Sequence, residues 1–232
     1  MEKTKKINFN LIRILIFLLI QTILFVLVFT TQGIVNKVSS FLCVVVPFTF
    51  SLTFISKDLD KVYTQVALFC TVMADLFLVV LEPQIRSLAM TFFFITQLCY
   101  SLRILRFYNK KIAFMIVYIL AIVVVIIITI IVLKDRVDYL SVISMLYYTL
   151  LVCNVIFSCI KFKLFPLLAV GLILFLCCDT LIGLSEAIGS YIFVSQSSFL
   201  YIISHTSFNL AWLFYIPSQT LLALSLTKKK QS

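Results

Sequence analysis

The chain has 232 residues, of which 63% are hydrophobic and 12% charged, and a formal net charge of +10; its mean hydropathy is +1.18. A soluble domain carries about 25% charged residues, so this composition excludes one and leaves no room for a separate soluble unit. The surplus of cations does not point to nucleic acid, because the Lys and Arg residues fall in short breaks between apolar stretches of membrane-crossing length.

Eight such stretches follow in chain order, at about 11–30, 34–56, 62–81, 85–105, 112–133, 138–160, 164–184 and 201–226. The expected fold is therefore all-α: a polytopic transmembrane bundle of eight helices, forming a single integral membrane domain over 1–232. The first stretch begins after Lys3, Lys5 and Lys6, as a signal peptide would. It ends in Phe29-Thr30-Thr31-Gln32 without a small-residue cleavage site, so it reads as an uncleaved helix. The second contains Pro47 and starts beside Lys37; the third carries Asp75. The fourth offers Thr96, Gln97, Tyr100 and Ser101. The fifth is nearly unbroken Ile, Val and Leu, with only Tyr118 and Thr129 polar, and is expected to face lipid. The sixth sets Ser144, Tyr147, Asn154 and Ser158 on one face, and the seventh carries Asp179. After a Ser- and Gln-containing loop at 185–198, the eighth aligns His205, Trp212, Tyr215 and Gln219, with Asn209 at the edge of the stripe. Polar residues within spans turn inward, so stretches 3, 4, 6, 7 and 8 are the expected interior walls. Tyr147, Tyr148 and Trp212 read as core packing residues.

Orientation follows from the cations. Alternate breaks put Lys3, Lys5, Lys6, Arg13, Lys57, Lys61, Arg103, Arg106, Lys110, Lys111, Lys161, Lys163 and Lys228 to Lys230 on one side. Only Lys37, Arg86, Lys134 and Arg136 fall on the other, a division of 15 against 4 among 19 Lys and Arg. The positive-inside rule then places both termini in the cytoplasm. The absence of long loops suggests a bacterial plasma membrane rather than an endoplasmic one. The seven cysteines all lie in apolar stretches with no C-x-x-C pair, and read as small packing residues. One histidine, His205, cannot supply a multi-histidine zinc site, so neither a metal nor a cofactor is expected.

Against this apolar background, Asp75 and Asp179 stand out. An ionisable group within a span costs several kcal/mol and is a functional-site hypothesis by default. Each lies in a similar context, Ala74-Asp75-Leu76-Phe77 against Cys178-Asp179-Thr180-Leu181, with a Glu seven residues on (Glu82, Glu186). Asp75 lies 14 residues past Lys61, and Asp179 lies 16 past Lys163, which puts both in the outer half of the bilayer. They occupy the third helix of each four-helix half, and a parallel duplication would bring them together across a pseudo-symmetry axis. The bland alternative is that each is neutral, hydrogen-bonded packing glue.

Several of these residues carry a resemblance. Lys37, Asp75-Leu76-Phe77-Leu78, Tyr100, Leu174-Phe175-Leu176-Cys177-Cys178-Asp179 and Tyr215-Ile216-Pro217-Ser218-Gln219 resemble, in order and spacing, the YhhN family of eight-span membrane proteins. That family includes the lysoplasmalogenases, which cleave the vinyl ether bond of lysoplasmalogens. The chain departs from the family pattern at Val38, Ala74, Cys178 and Gln97, the last standing where a histidine is frequent. The resemblance implies an intramembrane hydrolase in which Asp75 and Asp179 act as acid and base. In it Gln97, Tyr100, Tyr215 and Gln219 would position water or the substrate's glycerol oxygens. Lys37 would either attract the lipid phosphate or snorkel to the membrane surface. The expected partners are the lipid bilayer and a lysophospholipid-type substrate. Two other functions fit the same aspartates: a proton- or cation-coupled transporter, and a non-catalytic lipid-binding protein.

Overall fold

The structure is a computed structural model, and it describes residues 2–54, 58–81, 83–134, 137–190, 198, 201–202 and 210–227. Its helices are α1 (Glu2–Thr30), α2 (Gly33–Leu52), α3 (Leu59–Asp75), α4 (Arg86–Leu105), α5 (Lys111–Leu133), α6 (Tyr139–Ile160), α7 (Pro166–Ser190) and α8 (Leu210–Leu224). Beyond Asp75, α3 continues for one turn, Leu76–Val80, in the wider π form. Seven of these helices are long and apolar enough to cross a bilayer. The eighth, α8, has 15 residues. Residues 203–209 lie outside the described residues, so the expected last span is described in its second part only. Glu82, His205, Asn209 and Lys228 to Lys230 also lie outside the described residues.

Local chemistry sets the boundaries. Asp58 caps α3, its carboxylate accepting the Asp60 backbone N–H at 3.2 Å, and Asp138 caps α6 by accepting the Ser141 backbone N–H at 2.8 Å. Pro166 opens α7, where its missing N–H costs nothing. Gly33, at φ +64°, makes the reversal between α1 and α2 that a side chain would strain.

Consecutive helices pack as antiparallel hairpins, and two further contacts, α4 on α6 and α2 on α8, close them into a ring. The ring runs α2–α3–α4–α6–α7–α8 and back to α2. The α1 helix lies outside it against α2 and α8, and α5 lies outside against α6 and α4. This is why α5 needs so little polarity. Ile116, Ile119, Leu120, Ile127 and Ile131 are exposed on it, while Tyr118 and Thr129 turn inward. The outer face of α5 is thus apolar and exposed, as a lipid-facing stretch requires.

Asn154 of α6 is the hub of the inner wall. Its side-chain oxygen accepts from the Ser101 hydroxyl at 2.8 Å and the Tyr118 hydroxyl at 2.7 Å. Its amide donates to the backbone and side-chain oxygens of Gln97 at 2.9 and 3.0 Å. A single side chain thus joins α4, α5 and α6, all its capacity used. Near the lysine-rich end, Arg103 is buried and bonded in two places. It donates to both oxygens of Asp60 at 2.9 and 3.3 Å, and to the Ser225 hydroxyl at 2.6 Å, tying α3, α4 and α8. At the opposite end Arg86 of α4 reaches Glu186 of α7 at 3.3 Å, with both side chains exposed.

Candidate functional site

The two aspartates occupy helices on opposite sides of the six-helix ring, α3 and α7. Asp75 is the last residue of α3 before the π turn and is 4% exposed. The turn closes with the Leu81 N–H on the Leu76 carbonyl at 3.0 Å, and the Ile85 N–H returns to the Phe77 carbonyl at 3.3 Å. Single π turns within α-helices are costly and gather at functional sites. Asp179 lies mid-way along α7 and is half-buried, the more open of the two.

Each carboxyl is held by a tyrosine from a different helix. Tyr215 of α8 donates to Asp75 at 2.5 Å, and Tyr147 of α6 donates to Asp179. Beside the second pair, the hydroxyls of Tyr148 and Thr180 lie 2.9 Å apart, so α6 and α7 are joined at two adjacent residues. Between the tyrosines runs a chain of rings. Tyr147 stacks on Phe93 at 5.6 Å, Phe93 meets Phe175 edge-on at 5.9 Å, and Phe175 lies 5.6 Å from Tyr215. Trp212 closes against the far side of Tyr215 at 5.5 Å. The two phenols that hold the carboxyls are therefore linked by a continuous chain of ring contacts through Phe93 and Phe175.

Tyr215 meets Asp75, whereas Asp179 is met by Tyr147. Gln97, Tyr100 and Gln219 do not join them directly; they lie one to two turns deeper on α4 and α8, and all three are wholly buried. Lys37 is half-buried in the second turn of α2, the helix that packs against the π turn after Asp75. Tyr147 was expected only as a core residue. It is core, and it also holds a carboxyl. The available signal was its place on the same polar face as Ser144, Asn154 and Ser158. Among the described residues, no group of three or more His, Cys, Asp or Glu gathers as a metal site would.

A model of the YhhN family matches residues 32–226. The chain belongs to the YhhN family. The match spans α2 to α8 and so includes both aspartates, both tyrosines and the buried amides, leaving only α1 outside it. No curated protein matches the chain, and no solved structure does.

Proposed function

We propose that this YhhN-family protein is a membrane-embedded hydrolase of the lysoplasmalogenase type, cleaving the vinyl ether bond of a lysoplasmalogen at the Asp75–Asp179 pair. The observation that carries this reading is two carboxyls on opposed helices of the ring, each held by a phenol, with the two phenols linked through the rings of Phe93 and Phe175. Packing glue would need one acid and one neighbour. Two acids brought to the same interior are repulsive when both ionise, and that arrangement suits groups that divide into a proton donor and a proton acceptor.

The chemistry balances with one water. The protonated carboxyl gives its proton to the alkene carbon remote from the ether oxygen, leaving an oxocarbenium ion that the second, ionised carboxyl stabilises. Water adds to the cationic carbon, and the ionised carboxyl takes its proton. The resulting hemiacetal collapses to a fatty aldehyde and a glycerophospho-alcohol, with the proton passing to the departing oxygen. The Tyr215 and Tyr147 hydroxyls fix which carboxyl oxygens are free for these transfers. In this reading Lys37, on the helix that packs against the π turn, attracts the lipid phosphate.

We read the ring as a parallel duplication of four helices with both termini cytoplasmic. Adding four to each helix number maps the α1–α2, α2–α3, α3–α4 and α4–α6 contacts onto α5–α6, α6–α7, α7–α8 and α8–α2. The tyrosine partners break this symmetry, since α8 serves Asp75 while α6 serves Asp179. Inequivalent partners are what an acid and a base require.

The test is aldehyde release from lysoplasmalogen in proteoliposomes. Asp75→Asn and Asp179→Asn are each expected to lower turnover by about 10²–10⁴, the range for a lost general acid or base, while the protein stays folded. Turnover retained in both variants overturns the reading. Substrate-independent proton or cation flux, lost in the same variants, would assign the pair to transport instead.

A further inference from the structure

Counting residues from two fixed contacts gives the vertical order inside the ring. The α4 and α8 helices both run toward the lysine-rich end, where Arg103 bonds Ser225. Ten residues back along each helix are Phe93 and Tyr215, about 15 Å higher at 1.5 Å per residue. The Phe175 ring touches both of them, so the register is consistent. Between these levels lie Tyr100 one turn above the Arg103 anchor, and Gln97 and Gln219 about 9 Å above it.

This intermediate layer is both polar and fully buried. Gln97, Tyr100 and Gln219 are each 0% exposed. The amide nitrogen of Gln97, the hydroxyl of Tyr100 and both amide atoms of Gln219 have no hydrogen-bond partner among the described residues. Each such orphan costs about 1–3 kcal/mol when left unsatisfied. Natural interiors meet that need with ordered water making about three bonds. The neighbouring polar groups do not serve: Asn154 is saturated, and the Thr71 and Thr96 hydroxyls bond backbone carbonyls of α3 and α4. At the lysine-rich end a cavity of about 390 Å³ is lined by Asp60, Lys61, Arg103 and Ser225 together with apolar residues such as Phe165 and Leu168. Arg103 and Ser225 thus line the cavity and also lie one to two turns beyond the layer on α4 and at the end of α8.

We propose that the Gln97–Tyr100–Gln219 layer is a water-binding site, and that with the cavity beneath it forms the route by which hydrolytic water reaches Asp75 and Asp179. The second half rests on the hydrolase reading; the first does not. Each turnover consumes one water, and the buried Thr71 hydroxyl, one turn below Asp75 on α3, lies 3.4 Å from the Thr96 hydroxyl on α4, the residue before Gln97.

Hydroxyl-radical footprinting by X-ray dose series on the full-length protein in nanodiscs tests the water site, because bound water delivers radicals to otherwise buried side chains. Tyr100 is expected to oxidise several-fold faster than the equally buried Phe175. In Gln219→Leu its rate should fall to that of Phe175, with Tyr147 labelling unchanged. Equal rates for Tyr100 and Phe175 in the unaltered protein overturn the water site without any appeal to activity. In the proteoliposome assay, Gln219→Leu is expected to lower kcat about tenfold, with KM little changed, as for a step that binding does not report. Full kcat in that variant, with Tyr100 labelling lost, overturns the route. Labelling of Tyr100 with no aldehyde release from the unaltered protein would refute the hydrolase reading and leave the water site standing.

Discussion

Tyr215 and Tyr147 decide how the two carboxyls present themselves. A hydrogen bond to a charged group is worth about 1.5–3 kcal/mol, which converts to roughly a ten- to hundredfold effect on a step that depends on it. Tyr215→Phe and Tyr147→Phe, which keep the rings and the stacks on Phe175 and Phe93, are therefore expected to lower kcat by about that factor. Circular dichroism and detergent-stable monodispersity would show whether the fold is kept. A variant with full kcat would reduce its tyrosine to packing. The aspartates were legible in the sequence because ionisable groups are scarce in apolar spans. Their tyrosines were only half legible: Tyr215 came through its sequence neighbours, whereas Tyr147 looked like any aromatic residue at mid-span. Which side chain meets a carboxyl depends on the rotation of the adjacent helix, and no local pattern encodes that.

At the level of elements, α7 and α8 approach closely at Gly171. A Cβ built on Gly171 would lie 3.0 Å from the Leu222 Cγ and 3.3 Å from its backbone nitrogen. The Ser218 hydroxyl also donates to the Gly171 carbonyl at 2.8 Å. Gly171→Ala is expected to cost about 1–3 kcal/mol by overpacking, read as a lower midpoint of thermal unfolding in detergent. At the start of α6, the Ser141 hydroxyl and then its backbone N–H hold the exposed Asp138 carboxyl below its usual value of 3.8. A depressed folded value means the capping contribution is complete above the unfolded value and is lost as pH falls through the folded one. Asp138→Asn cannot titrate there. Its thermal midpoint should therefore change less than that of the unaltered protein as pH is lowered below about 4.

For the whole molecule, the Arg103–Asp60 pair acts as a clamp on three helices. Removing one partner of a buried pair strands the other, at about 3–5 kcal/mol. Asp60→Asn or Arg103→Met is expected to unfold the protein at markedly lower temperature, and Arg103→Met combined with Asp60→Leu to recover much of the loss. A double variant no better than the singles would mean that the ion pair is not the element responsible. Reporter fusions to both termini should place them on the cytoplasmic side. A periplasmic signal from either would break the orientation derived from the lysines and arginines.

Sequence alone determined that this chain is all-helical with apolar stretches of membrane-crossing length, that the fifth of these is almost wholly apolar, and that Asp75 and Asp179 are the acids within them. Those properties depend on transfer free energies and helical period, both of which act along one segment at a time. Only the tertiary structure decided the closed ring of six helices with α1 and α5 outside it, the phenol assigned to each carboxyl, and the depth of Gln97, Tyr100 and Gln219 below the pair. It also placed Arg103 in the interior, where the sequence had counted it among the orienting cations at a span end. Such features arise from helix rotation and neighbour choice, and these are set by packing between segments far apart in the chain.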